Sequence, residues 1–301
     1  MSVLRLATRR SPLALIQANY VRSRLGEFGV EAQLVHVETS GDRLHDVALD
    51  SLGGQGVFAI EVQRALLEGV ADVAVHSAKD LPSTQPEGLV LACVPERRDA
   101  ADVLVGRSLA GLGPGATVAT GSPRRRALLL ERRPDLRVVG LRGNMAKRLA
   151  SAGSGGVDAV VAAAAALERL GEEGRISERL DTTWFVPQVG QGALALETRG
   201  EDVAARALLE GLNDPRAMSA LVAERAFLRE LGSGCTIPAG AYATFDAAVL
   251  KLSGVMLAID GSRSVRATLE GDDPDLLGST LARRLRDDEG GAALTGWGTT
   301  S

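Results

Sequence analysis

The sequence predicts an α/β protein whose first two parts are similar and face each other across a cleft, followed by a small α+β unit with an antiparallel sheet. Three observations carry this. A short apolar strand that runs into a Ser-Pro helix start beside arginines occurs twice, in LRLATRRSP (4–12) and ATVATGSPRRR (116–126). GVADVAVHSAKD (69–80) aligns with GGVDAVVAAAAA (155–166), as if one unit had been doubled. Near the end, LKLSGVMLAIDGSRSVRATLEG (250–271) alternates in strand fashion around Asp260-Gly261, a strong hairpin signal.

Taken in order, residues 3–7 read as a strand, and Ser11 with Pro12 caps and opens a helix that runs to about Gly26. Arg9 and Arg10 thereby precede a helix amino terminus, where the dipole favours an anion; the plainer reading is a solvated loop. QLVHV (33–37) is a second strand. The glycine-rich LGGQGVF (52–58) then leads into a helix over about 59–68. ADVAV (71–75) is short and apolar, as in a strand buried on both faces of a parallel sheet. It runs straight into His76, Ser77, Lys79 and Asp80. The chain has only three lysines and three histidines, so one of each at a strand's carboxyl end marks a ligand site. A solvated turn closed by Pro82 is the bland alternative.

LVLACVP (89–95) is another buried strand in which Cys93 reads as an apolar core residue. The charged stretch 96–106 reads as a crossing into a second domain. There Ser122 and Pro123 open a helix with Arg124, Arg125 and Arg126 in its first turn, cations that oppose the dipole unless something anionic offsets them. A strand at 136–140 leads to Arg142, Gly143, Asn144 and a helix carrying Lys147 and Arg148, and Arg169 follows. PQVGQGALALE (187–197) reads as the return to the first domain. Asp214 and Pro215 start a helix to about Leu231, LGSGCTIPAGAYA (231–243) follows as a loop, and a last helix spans about 275–286. Cys235, in a Ser-Gly-Cys loop beyond a helix end, is placed as an accessible thiol.

Composition narrows the function classes. The 301 residues are 45% hydrophobic, 24% charged and only 3% aromatic, with net charge −4. Base stacking and general attraction to nucleic acid or anionic membranes are therefore not expected. Of 34 basic residues three are lysine, leaving 31 arginines, the side chain best shaped to hold carboxylates. No apolar run approaches a membrane span, the two cysteines form no disulfide framework, and no metal-ligand cluster is visible. A cytoplasmic protein is expected.

In this order LRLATRRSPLAL, TSGDR, GGQGVF, ADVAVHSAKDLP, GSPRRRAL, ERRPDL, LRGNMAKRL, VGQGALALE and GSGCTIPAGAYA resemble porphobilinogen deaminases, also called hydroxymethylbilane synthases, over almost the whole chain. The resemblance implies three domains: 1–98 with 193–212, 99–192, and 213–301, the first two like periplasmic binding proteins. It implies a monomeric transferase that condenses four porphobilinogen molecules, with loss of ammonia, onto a covalent dipyrromethane cofactor, giving the linear tetrapyrrole hydroxymethylbilane for haem. Cys235 would carry the cofactor and Asp80 would be catalytic, stabilising the cationic azafulvene left when ammonia departs. Lys79, Ser77, Thr120, Ser122, Arg124, Arg125, Arg142 and Arg148 would bind the cofactor. Arg9, Ser11, Arg142, Arg148 and Arg169 would bind the substrate and the growing oligopyrrole, whose carboxylates suit arginine clamps. As cleft-facing side chains such arginines would add only about 1 kcal/mol or less to folding. No metal, nucleic acid or membrane is implied. Gln55, Gly121 and Pro123 depart from the commoner family pattern. A two-domain anion-binding protein would explain the arginines and the cleft but has no use for Cys235 or Asp80, and another cysteine-nucleophile transferase is a third reading.

Overall fold

The computed structural model describes residues 3–38, 59–232 and 237–297. The glycine-rich stretch 52–58 and Cys235 lie outside the described residues. The first half contains β1 (Leu4–Arg9), α1 (Pro12–Glu27), β2 (Ala32–Val37), α2 (Ile60–Leu67), β3 (Val73–Ser77) and β4 (Leu89–Cys93). The second contains β5 (Asp102–Val105), β6 (Thr117–Ala119), α3 (Pro123–Arg132), β7 (Arg137–Val139), α4 (Met145–Ala150), β8 (Ala159–Ala163), α5 (Ala164–Leu170) and β9 (Ile176–Arg179). The chain then returns through β10 (Leu194–Arg199).

The two five-stranded sheets have the same order. One is β2-β1-β3-β10-β4 and the other β7-β6-β8-β5-β9, so β1, β2 and β3 correspond to β6, β7 and β8. In each sheet the fourth position is taken by a strand that has just crossed from the other half, β10 in the first and β5 in the second. The sheets are mixed for this reason. β3 is parallel to β1 but antiparallel to β10, which corrects the all-parallel expectation for ADVAV. Its burial on both sides is nevertheless complete, with Val73, Ala74, Val75 and His76 all buried.

Local chemistry accounts for the helix starts. Ser11 and Ser122 accept hydrogen bonds from the amides of Ala14 and Arg125, and each is followed by proline at the first helical position. Asn144 caps α4 in the same way. Gly171 ends α5 at φ 69°, a left-handed position that glycine adopts without strain.

The third part packs α7 (Pro215–Glu230) and α8 (Pro274–Arg283), which follows α6 (Val203–Leu209) and α7 in the chain, against an antiparallel sheet of β11 (Ala239–Asp246), β12 (Val249–Leu257) and β13 (Ser264–Gly271). The turn carrying Asp260-Gly261 joins β12 to β13 as the hairpin signal requires. β11 was legible only as a loop because its inward residues are Ala241 and Ala243, small side chains of low strand preference that are selected by lack of space beneath α7. α8 ends at Arg283 and continues as a wider turn over 284–288, so the last helix is shorter than its pattern suggests.

The α7–α8 contact depends on Gly278. A Cβ there would stand 2.1 Å from the carbonyl oxygen of Ala223 and 2.7 Å from Ala226 Cβ. Gly278→Ala should cost roughly 1–3 kcal/mol by overpacking, read as a lower urea midpoint; an unchanged midpoint would show that the helices can separate freely.

Candidate functional site

The end of β3 is a single helical turn, Ala78–Asp80, and the returning segment 187–193 closes over it. Ala193 accepts from the Ala78 amide at 3.1 Å, and Gln188 Nε2 donates to the Lys79 carbonyl at 3.2 Å. Gly190 sits at φ 74° where a Cβ would be 2.9 Å from both Ala78 C and Lys79 N. Only glycine permits that approach. Gly192 is equally constrained, since its Cβ would fall 2.4 Å from the Arg98 carbonyl oxygen on the outgoing segment. The GQG motif is therefore where both crossings meet.

Between those glycines Gln191 is fully buried and donates to Ala100 O (2.8 Å) and Asp102 Oδ1 (2.9 Å). Its amide oxygen accepts from Arg125 Nη2 at 3.3 Å. Asp102, at the start of β5, is also fully buried and pairs with Arg124 Nη2 (2.7 Å) and Arg125 Nη2 (2.6 Å). Burial alone would raise its carboxyl, but Arg124, Arg125 and Gln191 bring it down to about 2. The anion that α3 requires in its first turn is thus the protein's own Asp102. Arg124 is 2% exposed and donates also to Val186 O at 2.7 Å. It is no cleft-surface cation, and deleting it would leave Asp102 short of a partner, a loss of roughly 3–5 kcal/mol where the expectation for an exposed arginine was small.

Lys79, Asp80, Arg125 and Arg148 act on one another electrostatically. Burial, then Arg125 and Arg148, push the Lys79 ammonium down to about 8 against the opposing pull of Asp80 and Asp102. Arg148, half-buried with its Nε on the Gly143 carbonyl at 2.8 Å, is lowered by burial and by Arg125. Arg124, Arg125, Arg148 and Lys79 thus face two carboxylates, Asp80 and Asp102. The local surplus of positive charge fits an anionic ligand.

The remaining expected residues are distributed around this centre. Ser77 Oγ accepts from Gln17 Nε2 of α1 at 2.8 Å, and Gln17 is buried. Arg9 ends β1 and Ser11 caps α1. Thr120 is buried and its hydroxyl accepts from the Ser122 amide at 3.2 Å. Arg142 is exposed ahead of α4. Arg169 Nη2 donates to Gly192 O at 2.8 Å, and burial followed by Arg98 lowers its guanidinium to about 10. Asp102, Gln191 and Gln17 were not singled out from the sequence; the uncompensated arginines of α3 were the one signal that a buried acid must exist.

The third part reaches the same junction. Glu224 of α7 is fully buried, pairs with Arg97 Nη1 at 2.6 Å, and accepts from the amides of Gly190 (2.7 Å) and Ala243 (2.9 Å). A small cavity of about 20 Å³ lies beside it, lined by Ser122, Arg124, Gln188, Val189, Leu228, Ile237 and Ala239. Among the described residues Arg124 Nε is buried without a hydrogen-bond partner.

Two similar α/β lobes thus meet near a cation-rich turn, with a third unit keyed into the junction. A family model described as "Porphobilinogen deaminase, dipyromethane cofactor binding domain" matches residues 4–207, and one described as "Porphobilinogen deaminase, C-terminal domain" matches 218–287. The porphobilinogen deaminase of Pelobacter propionicus is 43% identical over 297 residues, 97% of this chain and 96% of that protein. That of Roseiflexus castenholzii is 44% identical over 300 residues, 97% and 99% of the two chains. Among solved structures, a periplasmic substrate-binding protein from Coxiella burnetii overlays with TM-score 0.45 at 15% identity, covering 72% of this chain and 94% of that one. The chain belongs to the porphobilinogen deaminase family, transferases that build a tetrapyrrole in porphyrin biosynthesis. Among the described residues no helix is long and apolar enough to cross a membrane.

The Lys79 environment makes a pH prediction. Its folded value, about 8, lies below the ordinary 10.5, so between these the unfolded chain holds a proton that the folded chain lacks, and stability rises with pH. Lys79→Met should stabilise the cofactor-free protein most below pH 8, with the gain shrinking toward 10.5. Urea titrations across that window check it; a constant gain would mean that burial and the arginines do not hold the ammonium down.

Proposed function

We propose that this chain joins four porphobilinogen molecules head to tail, with loss of ammonia, onto a dipyrromethane carried by Cys235, giving hydroxymethylbilane. The observation that carries the reading is the Lys79-Asp80 turn at the junction of the lobes, where a carboxylate stands among Lys79, Arg125 and Arg148. The surplus of cations around the turn, Lys79, Arg125 and Arg148 beside Asp80, supports dipyrromethane as the resident group. When bound, the cofactor supplies the carbon to which the first substrate is joined.

The residues divide by chemistry. Lys79, Arg125, Arg142 and Arg148, with Ser77, Thr120 and Ser122, hold cofactor carboxylates and fix their orientation, while Arg124, bound to Asp102 and Val186 O, serves the cofactor site by holding α3 in place. Arg9, Ser11 and Arg169, with Arg142 and Arg148, receive the acetate and propionate of the incoming pyrrole. Asp80 is the catalytic carboxylate. The substrate becomes cationic as its ammonia departs, and a fixed anion against the pyrrole nitrogen stabilises that charge without reorganising. A covalent tether at Cys235 keeps the growing chain from diffusing away between condensations. The three domains are 1–98 with 193–212, 99–192 and 213–301. The enzyme acts as a cytoplasmic monomer with no nucleic-acid or membrane partner.

Asp80→Asn keeps shape and removes charge, so cofactor-loaded protein should lose about 100-fold or more in turnover. Near-normal tetrapyrrole formation by that variant would move the catalytic role elsewhere.

Cys93 gives the tether its internal control. It is fully buried in β4 and burial pushes its thiol up to about 12, so it carries essentially no thiolate at neutral pH. Protein purified under reducing conditions should be heavier than its sequence by one dipyrromethane and react with Ehrlich's aldehyde reagent. Cys235→Ser should lose both properties and Cys93→Ser neither. A bare Cys235 after incubation with porphobilinogen would sink the attachment.

A further inference from the structure

Beneath the Asp80 turn lies a buried polar cluster that the chemistry above does not use. Glu197, on β10, is fully buried. His76 Nε2 lies 3.1 Å from its Oε2, an ion-pair distance without hydrogen-bond geometry among the described residues. Gln63 Nε2, from α2, donates to both its oxygens at 3.2 and 2.9 Å, and Gln85 Nε2 donates to Oε1. Arg225 of α7 is buried and acts electrostatically on the same carboxylate. Burial alone would raise the Glu197 carboxyl, but His76, Gln63 and Gln85 hold it below its ordinary value.

The placement of the donors is informative. His76 is the residue of β3 just before Ser77, and it leads into the Ala78–Asp80 turn. Gln85 lies in the segment that leaves the turn for β4. One carboxylate thus lies in ion-pair range of His76, two residues before the turn, and accepts from Gln85, five residues beyond Asp80. Gln63 ties the same carboxylate to α2, and the strand pairing of β10 with β3 sets its depth, with Ala195 opposite His76 and Glu197 opposite Ala74. A fully buried carboxylate is a costly route to stability, because desolvation offsets much of what its partners return. Its specific effect is geometric: satisfied polar networks restrict a core to one arrangement.

We propose that Glu197 is a positioning residue for the reaction, fixing the Asp80 turn by accepting from Gln85 on the segment beyond it and Gln63 of α2 while lying in ion-pair range of His76 on the strand before it. This rests on Asp80 as the catalytic carboxylate. The contacts from Gln188, Gly190 and Ala193 hold the turn's backbone from one side, and Glu197 tethers the segment that leaves it through Gln85. All four holders lie on the one returning segment. Because Glu197 is fully buried behind the turn, its effect is expected on turnover and not on affinity.

Glu197→Gln keeps the volume and removes the charge that collects the donors. In holoenzyme it should lower kcat about 10-fold while the KM for porphobilinogen changes less than twofold, and amide exchange at 78–81 should quicken about 10-fold with α7 unchanged. Gln85→Ala, at a half-buried position outside the core, should shift kcat and exchange the same way by a smaller factor. The double variant should be no worse than Glu197→Gln alone. Unchanged kcat and unchanged exchange in both single variants, with Asp80→Asn inactive, overturns the positioning role and leaves Asp80 standing. Full turnover by Asp80→Asn removes the reading on which this role rests. Should Glu197→Gln loosen the whole chain, Gln85→Ala decides: normal kcat and normal exchange at 78–81 overturn the proposal.

Discussion

The burial of Asp102 between Arg124 and Arg125 is the interaction on which the rest of this chain depends. It joins the strand that enters the second lobe to the first turn of α3, and through Gln191 it joins both to the segment that returns. Such a cluster stabilises little against a well-packed apolar alternative, yet losing one member is expensive. Its value lies in geometry. With both crossings locked to one carboxylate, the lobes meet in one relation, and the Lys79-Asp80 turn of one lobe is held beside the arginines of the other. Asp102 also tempers the field, opposing Arg125 and Arg148 at Lys79 together with Asp80.

Much of this frame was legible in the sequence, and the reasons differ by element. Helix starts were legible because Ser-Pro and Asp-Pro caps are local chemistry that needs no tertiary partner. The doubled architecture was legible because the repeated strand–cap–arginine unit and the alignment of 69–80 with 155–166 are patterns within the chain. Strand direction was not legible: β3 looks alike whether β10 runs with it or against it, and only the order of the crossings decides. β11 was invisible because its inward alanines answer to the space under α7 and not to strand preference. Among site residues, the Lys79-Asp80 turn stood out because lysine is rare here. Asp102 and Gln191 did not, since an acid near a strand start and a glutamine among glycines are common, and their importance exists only once the two crossings meet.

The third unit is drawn into the same junction by a single side chain. Glu224 receives Arg97 from the outgoing segment and the Gly190 amide from the returning one while also holding Ala243 in its own sheet. Gly240 then lets β11 lie against the Val186–Pro187 backbone, where a Cβ would meet Pro187 O at 2.6 Å. The loop between α7 and β11, which carries Cys235, is therefore anchored at both ends on elements pressed against the lobe junction.

The doubling also explains why chemistry is confined to one copy. In the first lobe β3 is followed by one turn and an extended segment, so Lys79 and Asp80 project at the junction. In the second, β8 passes directly into α5, and its end is a run of buried alanines, Ala162 to Ala166. That end carries the contacts of the crossing: Ala164 donates to Ala101 O, and Val161 O accepts from Arg125. Large polar side chains there would separate α5 and β5 and displace Arg125, whose position sets the charge at Lys79. Alanine in the second copy thus leaves room for the crossing contacts of β5 and Arg125, while the first copy carries Lys79 and Asp80 at the matching position. A second charged turn opposite the first would compete for the same arginines, and the scaffold leaves that position small.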